Sequence, residues 1–152
     1  MPGGSFSIEV NAPPEVVFDL IHDYARRLEW DSMLSEARLL GGATAAGVGV
    51  RSLCVGTWRS AYLPMETEYV SFERGRVAAV KLTNRPAFFD RFAATIKHEA
   101  LSHGCSRVTY KYSFHARPRA LALLLEPIMN WMLGREIRQR LAALRDFHDP
   151  SA

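Results

Sequence analysis

The chain has 152 residues, 48% hydrophobic and 23% charged, with 19 Lys and Arg against 16 Asp and Glu for a formal net charge of +3. These values exclude a disordered chain, and the length suits one domain, 1–152, with a sizeable core. The longest apolar run, 120–125, is far short of the ~20 residues a membrane-spanning helix needs, and residues 1–5 show no basic start leading into an apolar stretch, so a soluble cytoplasmic protein is expected.

Residues 6–10 alternate apolar and polar and read as a first strand. Asn11 is a candidate cap for the helix that follows, with Pro13 and Pro14 in its first turn and Glu15 where the helix dipole favours an acid. Val16, Val17, Leu20, Ile21 and Tyr24 recur at helical spacing, and a second short helical stretch covers about 25–30. Residues 33–115 read as strands: 34–40, 50–55, 63–72, 77–83, 92–101 and 108–115, with Gly56-Thr57-Trp58-Arg59 as a further strand or a bulged continuation.

Parity sets the register of two hairpins. A three-residue loop, Ser102-His103-Gly104, pairs Ile96 with Tyr110 and His98 with Val108. It turns Lys97, Glu99 and Lys111 to water and gives Gly104 a left-handed conformation. A two-residue turn at Arg74-Gly75 pairs Tyr69 with Val80 and Thr67 with Leu82, facing away from Glu66, Glu68 and Lys81. The result is an antiparallel sheet with one dry face. Residues 119–147, after Pro118, form a long helix whose second half carries a clean apolar stripe at Leu133, Ile137, Leu141 and Leu144. Its first half is apolar nearly all round and contains Pro127. A curved sheet of six or seven strands has a concave face that only this helix is long enough to fill.

Cys54 and Cys105 are too few for a disulfide framework, and the five histidines show no metal-ligand spacing, so neither a metal nor a cofactor is expected. The basic residues are almost all arginine, 16 against three lysines. They are spread along the chain, which points to a GC-rich bacterial genome rather than a nucleic-acid surface.

The order strand, two short helices, long antiparallel sheet and long C-terminal helix resembles the helix-grip superfamily known as SRPBCC, which includes START domains, polyketide cyclases and birch-pollen-allergen-like proteins. The likeness is carried by Asn11-Ala12-Pro13-Pro14-Glu15-Val16-Val17-Phe18, then Asp23-Tyr24 and Glu29-Trp30. Gly47-Val48-Gly49, Gly104 to Tyr110, Glu126-Pro127-Ile128 and Leu141 to Arg145 complete it. It spans essentially the whole chain. The resemblance implies an α+β helix-grip fold, a curved antiparallel sheet wrapped around the last helix, and a cavity between them for apolar or amphipathic small molecules. It carries over no catalytic residues.

Candidate cavity residues follow from the inward faces. Tyr69, Tyr110 and Tyr112 would offer hydroxyls to a ligand, or else bond to backbone in a filled core. His98, inward opposite Val108, is the best acid or base if the protein is an enzyme, and otherwise a satisfied core histidine. Glu126 and Asn130 lie on the backward extension of the Leu133–Ile137–Leu141 stripe and would point into the grip, beside Met129. A kink at Pro127 would instead turn them to water. On the straight register Leu124, Ile128 and Trp131 face outward as an apolar patch. In the loop Asn84-Arg85-Pro86-Ala87-Phe88-Phe89, adjacent aromatics cannot both enter a core, so one gates the cavity or packs at its edge, with Phe92 following inside. Arg51 is a candidate counter-charge for Glu126.

Three readings stay open. The first is a non-catalytic binder of a hydrophobic small molecule such as a lipid, quinone or polyketide-like compound, with room for a homodimer and no nucleic-acid partner. The second is an aromatase/cyclase or dehydratase-type enzyme moving protons through His98 with Tyr110 or Glu126. The third is an interaction module resembling the coenzyme-Q-binding and ribosome-association branch. A smooth apolar cavity favours the first, a cavity with polar groups in hydrogen-bond reach of each other the second, and a filled core with a basic face the third.

Overall fold

The computed structural model describes residues 2–57 and 62–149. Seven strands form one antiparallel sheet in the order β1-β7-β6-β5-β4-β3-β2. They are β1 (Gly3–Val10), β2 (Leu34–Leu39), β3 (Arg51–Gly56), β4 (Pro64–Glu73), β5 (Val77–Leu82), β6 (Phe89–Ala100) and β7 (Ser106–Ala116). Helices α1 (Pro14–Ile21) and α2 (Arg27–Trp30) follow β1, and α3 (Ala122–His148) closes the chain. Bulges in β2, β4 and β6 curl the sheet into a half-barrel around α3, the helix-grip arrangement.

Trp58 and Arg59 lie outside the described residues, so the continuation expected there is not followed. β1 starts three residues earlier than expected, because Gly3 and Gly4 pair with Ser113 and Tyr112. Glycine has a low strand propensity, but the long edge of β7 gives both residues partners. Asn11 does not cap α1. Pro13 occupies that position without a side-chain bond, and the Asn11 Oδ1 accepts from the Cys105 thiol at 3.5 Å.

The β6–β7 register is the expected one, with Ile96 opposite Tyr110 and His98 opposite Val108 across a three-residue loop. Gly104 has φ +72°, and a Cβ there would meet nothing within 4 Å, so its requirement is conformational rather than spatial. The β4–β5 pairs Tyr69–Val80 and Thr67–Leu82 also form, by a different route. The turn holds three residues, since Glu73 pairs with Val77, and a bulge between Tyr69 and Ser71 restores the register.

α3 crosses β1 and β7 closely. Gly134 is the contact point: a Cβ there would sit 3.2 Å from the Phe6 ring. Ile137, Leu141 and Leu144 are buried beside Val17, Leu20, Trp30, Val108 and Phe114. Full burial of such side chains contributes roughly 1.5–3 kcal/mol each. The short helix α1 lacks the length to persist alone and is held by placing Val17, Leu20 and Ile21 in this core and Phe18 in a smaller cluster with Tyr69 and Ala78.

Candidate ligand cavity

The space between α3 and the β3–β6 part of the sheet is not filled. It leaves a cavity of about 130 Å³. Its walls are largely apolar, with Met65, Val80, Phe89, Phe92, Ala94 and Ile96 from the sheet and Leu133 and Ile137 from α3. Two polar groups interrupt them.

The first is a row of rings. The Tyr69 hydroxyl lies 2.6 Å from His22 Nδ1 and 2.9 Å from the Tyr24 hydroxyl. Burial holds the His22 imidazole neutral, with its pKa lowered to about 3, and pushes both phenols upward. His22 and Tyr24 also form the floor of an open groove of about 600 Å³ on the other side, between α1, β2 and the segment 43–46. These two side chains therefore partition cavity from groove.

The second is a charged cluster. Asp31 Oδ2 accepts from Arg27 Nε at 3.0 Å and from Arg140 Nε at 2.8 Å, and Asp31 Oδ1 accepts from the Met33 amide at 3.0 Å. The Asp31 side chain is fully buried. Burial opposes its charge, yet the two guanidiniums and the amide hold its carboxyl below the usual range. Burial likewise opposes Arg27, and the Asp31 carboxylate outweighs it, so the pKa of Arg27 rises. Arg27 also donates to the Ile21 carbonyl and lies over the Trp30 ring. Arg27, Arg140 and Glu136 reach the cavity wall.

Of the candidate residues, Tyr69, Phe89, Phe92 and Tyr110 lie on the cavity. The adjacent aromatics divide as their geometry requires: Phe89 is buried, and Phe88, at φ +68°, is exposed. Five candidates are not brought to the cavity wall. His98 is buried behind it against Phe18. Neither ring nitrogen has a hydrogen-bond partner among the described residues, and burial lowers its pKa to about 4. It is therefore neither a satisfied core histidine nor a group facing the cavity.

Glu126 and Asn130 do face the sheet, so Pro127 does not turn them out, but they are consumed by β7. Glu126 Oε2 accepts from the Ala116 amide at 3.0 Å, and Asn130 Oδ1 accepts from the Tyr112 hydroxyl at 2.6 Å. Tyr112 accordingly spends its hydroxyl on α3 and its ring among Phe6, Phe92 and Phe114. Met129 packs on the core cluster without reaching the cavity. The reason is lateral: α3 lies over β1 and β7, while the cavity opens over β3 to β6. Arg51 pairs with Glu66 at the surface, not with Glu126.

Sequence reasoning missed His22, Tyr24, Arg27, Asp31 and Arg140. Two signals were present. Arg27 and Asp31 have the i,i+4 spacing of a helical ion pair. Arg140 stands three residues after Ile137 and four before Leu144, on the buried stripe itself.

Curled sheet, gripped helix and the cavity between them define a helix-grip protein of the START-like class, a fold of ligand-binding or cyclase type. The chain matches the family described as polyketide cyclase/dehydrase and lipid transport over residues 1–147, and it belongs to that family. A search of curated proteins returns no match. Among solved structures it is similar to the ZhuI aromatase/cyclase from Streptomyces sp. R1128, with a TM-score of 0.83 and 11% identity, covering 97% of this chain and 93% of that one. It is also similar to a START superfamily protein from Mycobacterium smegmatis, with a TM-score of 0.79 and 10% identity over 99% of both chains. A third is a protein from Thermus thermophilus, with a TM-score of 0.75 and 17% identity over 95% of both. At these identities the likeness establishes the fold alone. No helix among the described residues is long and apolar enough to cross a membrane.

Proposed function

We propose that the chain, acting as one domain, binds a hydrophobic or amphipathic small molecule of lipid, quinone or polyketide type between sheet and α3. The observation that carries this reading is an aliphatic and aromatic cavity with a confined polar corner of Tyr24, Tyr69, Arg27 and Arg140. Apolar walls supply burial, and a few fixed polar groups orient the ligand. The cavity of about 130 Å³ is smaller than the roughly 300–1,000 Å³ of drug-sized sites. A ligand of that size gains room where the Tyr24 ring swings aside into the adjoining groove, while Tyr69, Arg27 and Arg140 hold its polar end. Native mass spectrometry of protein purified from its host is the direct test. The expected result is a bound small molecule in wild type that is weakened or lost in Tyr69→Phe. Absence of any adduct, together with no uptake from a panel of fatty acids, quinones and polyketide-like compounds, would sink the reading.

The Tyr24–Tyr69–His22 row favours one second reading, an aromatase/cyclase or dehydratase-type enzyme. Here a neutral imidazole beside a phenol shuttles a proton to or from a substrate in the cavity, a role that falls to His22 rather than His98. Under that reading His22→Gln lowers turnover of a polyketide-like substrate by about two orders of magnitude or more. Under the binder reading no substrate turns over. An unfilled cavity supports both readings over an interaction module, for which a filled core is expected.

A further inference from the structure

The end of the grip where α3 begins is left apolar and uncovered. Leu123 is 89% exposed, Leu124 71%, Trp131 62% and Ile128 59%, and Leu121 and Phe88 are about half exposed. These positions are contiguous in the fold. The Arg117 amide donates to the Phe88 carbonyl at 2.9 Å, which places the loop before β6 beside the turn leading into α3. Leu124, Ile128 and Trp131 then follow at helical spacing on one face. Soluble proteins seldom leave so many large apolar side chains together in water without a partner for them.

The charges around this face identify the partner. Arg85, Arg91 and Arg119 gather near Asp90, Arg117 donates to the Arg85, Pro86 and Phe89 carbonyls of the loop that carries Phe88, and Arg135 lies 5.7 Å from the Trp131 ring centroid. Two carboxylates accompany them. Asp90 is paired with Arg85 and also feels Arg91 and Arg119. Glu126 is turned inward onto the Ala116 amide. The local excess of three positive charges equals that of the whole chain. A symmetric contact with a second copy would bring two such cationic rims together, with Asp90 and Glu126 already engaged within each copy. An anionic lipid surface meets both features at once, since it accepts aliphatic and indole side chains and attracts the guanidiniums.

We propose that this end of the grip, formed by Phe88, Leu121, Leu123, Leu124, Ile128 and Trp131 within a rim of arginines, docks onto an anionic lipid bilayer. Docking of this kind is peripheral and reversible, and it does not depend on which ligand the cavity takes.

The test is flotation of the full chain with phosphatidylcholine vesicles, with and without about 30 mol% phosphatidylglycerol. Wild type is expected to bind the anionic vesicles about tenfold or more tightly than the neutral ones, and less as salt rises. The Leu123→Ser/Leu124→Ser double variant keeps the wild-type unfolding midpoint, because both side chains are exposed. It should lose about tenfold or more of the binding to anionic vesicles. Arg119→Gln/Arg135→Gln should remove much of the anionic preference. A blue shift of tryptophan fluorescence on binding should vanish in Trp131→Phe. Failure of wild type to float at any composition overturns the proposal, as does equal flotation of the serine variant. A concentration-dependent dimer that the serine substitutions break, without vesicle binding, would mean that a second copy covers this face.

Discussion

From Leu133 onward α3 behaves as a core helix. Ile137, Leu141 and Leu144 are buried, and Arg140 closes over Asp31 at the α2 end of the grip. Its first turns behave differently. Glu126 and Asn130 face inward, where their polar atoms satisfy a β7 amide and a tyrosine hydroxyl, and the leucines and tryptophan face out. One helix thus has a closed end and an open end. At the closed end Asp31, Arg27, Arg140 and the Tyr69 hydroxyl are buried because each meets a charge or ring partner from a neighbouring element, while the His98 imidazole is buried with no hydrogen-bond partner among the described residues. At the open end the polar groups are used as struts, and the apolar surface is left for something outside the chain. Apolar content alone does not say which way a helix face points; what it is packed against does.

The contrast can be broken most forcefully at Asp31. Asp31→Ala leaves two guanidiniums buried without their shared carboxylate, and loss of a partner from a buried ion pair costs about 3–5 kcal/mol. Chemical denaturation should show that loss. A change under about 1 kcal/mol would mean that water replaces the carboxylate and that the end is not closed. Truncation of the helix comes next. Leu141→Ala should cost about 2–5 kcal/mol, whereas Leu124→Ala should stay within about 0.5 kcal/mol of wild type. Similar losses at both positions would erase the distinction between the two ends.

The closed end should also respond to acid. His22 and His98 have folded-state pKa values of about 3 and about 4, below the ordinary 6.5, so the unfolded chain binds protons first as pH falls. Their contribution is intact above about pH 6.5 and is lost as pH drops toward the folded values. It amounts to about 2 kcal/mol per histidine between neutrality and about pH 5. Unfolding free energies across that range should show the slope, and His98→Gln should remove roughly half of it. An unchanged slope in that variant would mean that His98 is not held neutral by burial. Smallest is the strut: Asn130→Ala removes the shorter of the two acceptors of the Tyr112 hydroxyl, leaving the residue-130 carbonyl at 3.3 Å, and should cost about 1 kcal/mol, while binding in the cavity stays as in wild type. Altered binding in that variant would bring Asn130 into the site after all.

Local patterns determined much of this molecule. Alternation fixed which faces of β4 to β7 are dry, and Gly104 fixed the β6–β7 register. The 133–144 stripe fixed how the second half of α3 lies in the grip, and the order of elements was enough to suggest the helix-grip fold. These are legible because each depends on neighbours a few residues away or on a two-strand pairing. The chemistry of the cavity was not. Arg27 and Arg140 are 113 residues apart in sequence and meet only because α2 and the end of α3 pack together. Alternation turns Tyr69 inward, but its partners lie 45 and 47 residues earlier in the chain: the apolar periodicity of α1 takes in Tyr24 and not His22, and neither signals a hydrogen bond to β4. Helical phase puts Glu126 and Asn130 on the inward face of their helix, as expected, but there they meet β7 and not the expected cavity. Helical phase sets the direction of a side chain, but whether it meets a void or a strand depends on where the helix lies across the sheet, and only the packed structure decides that.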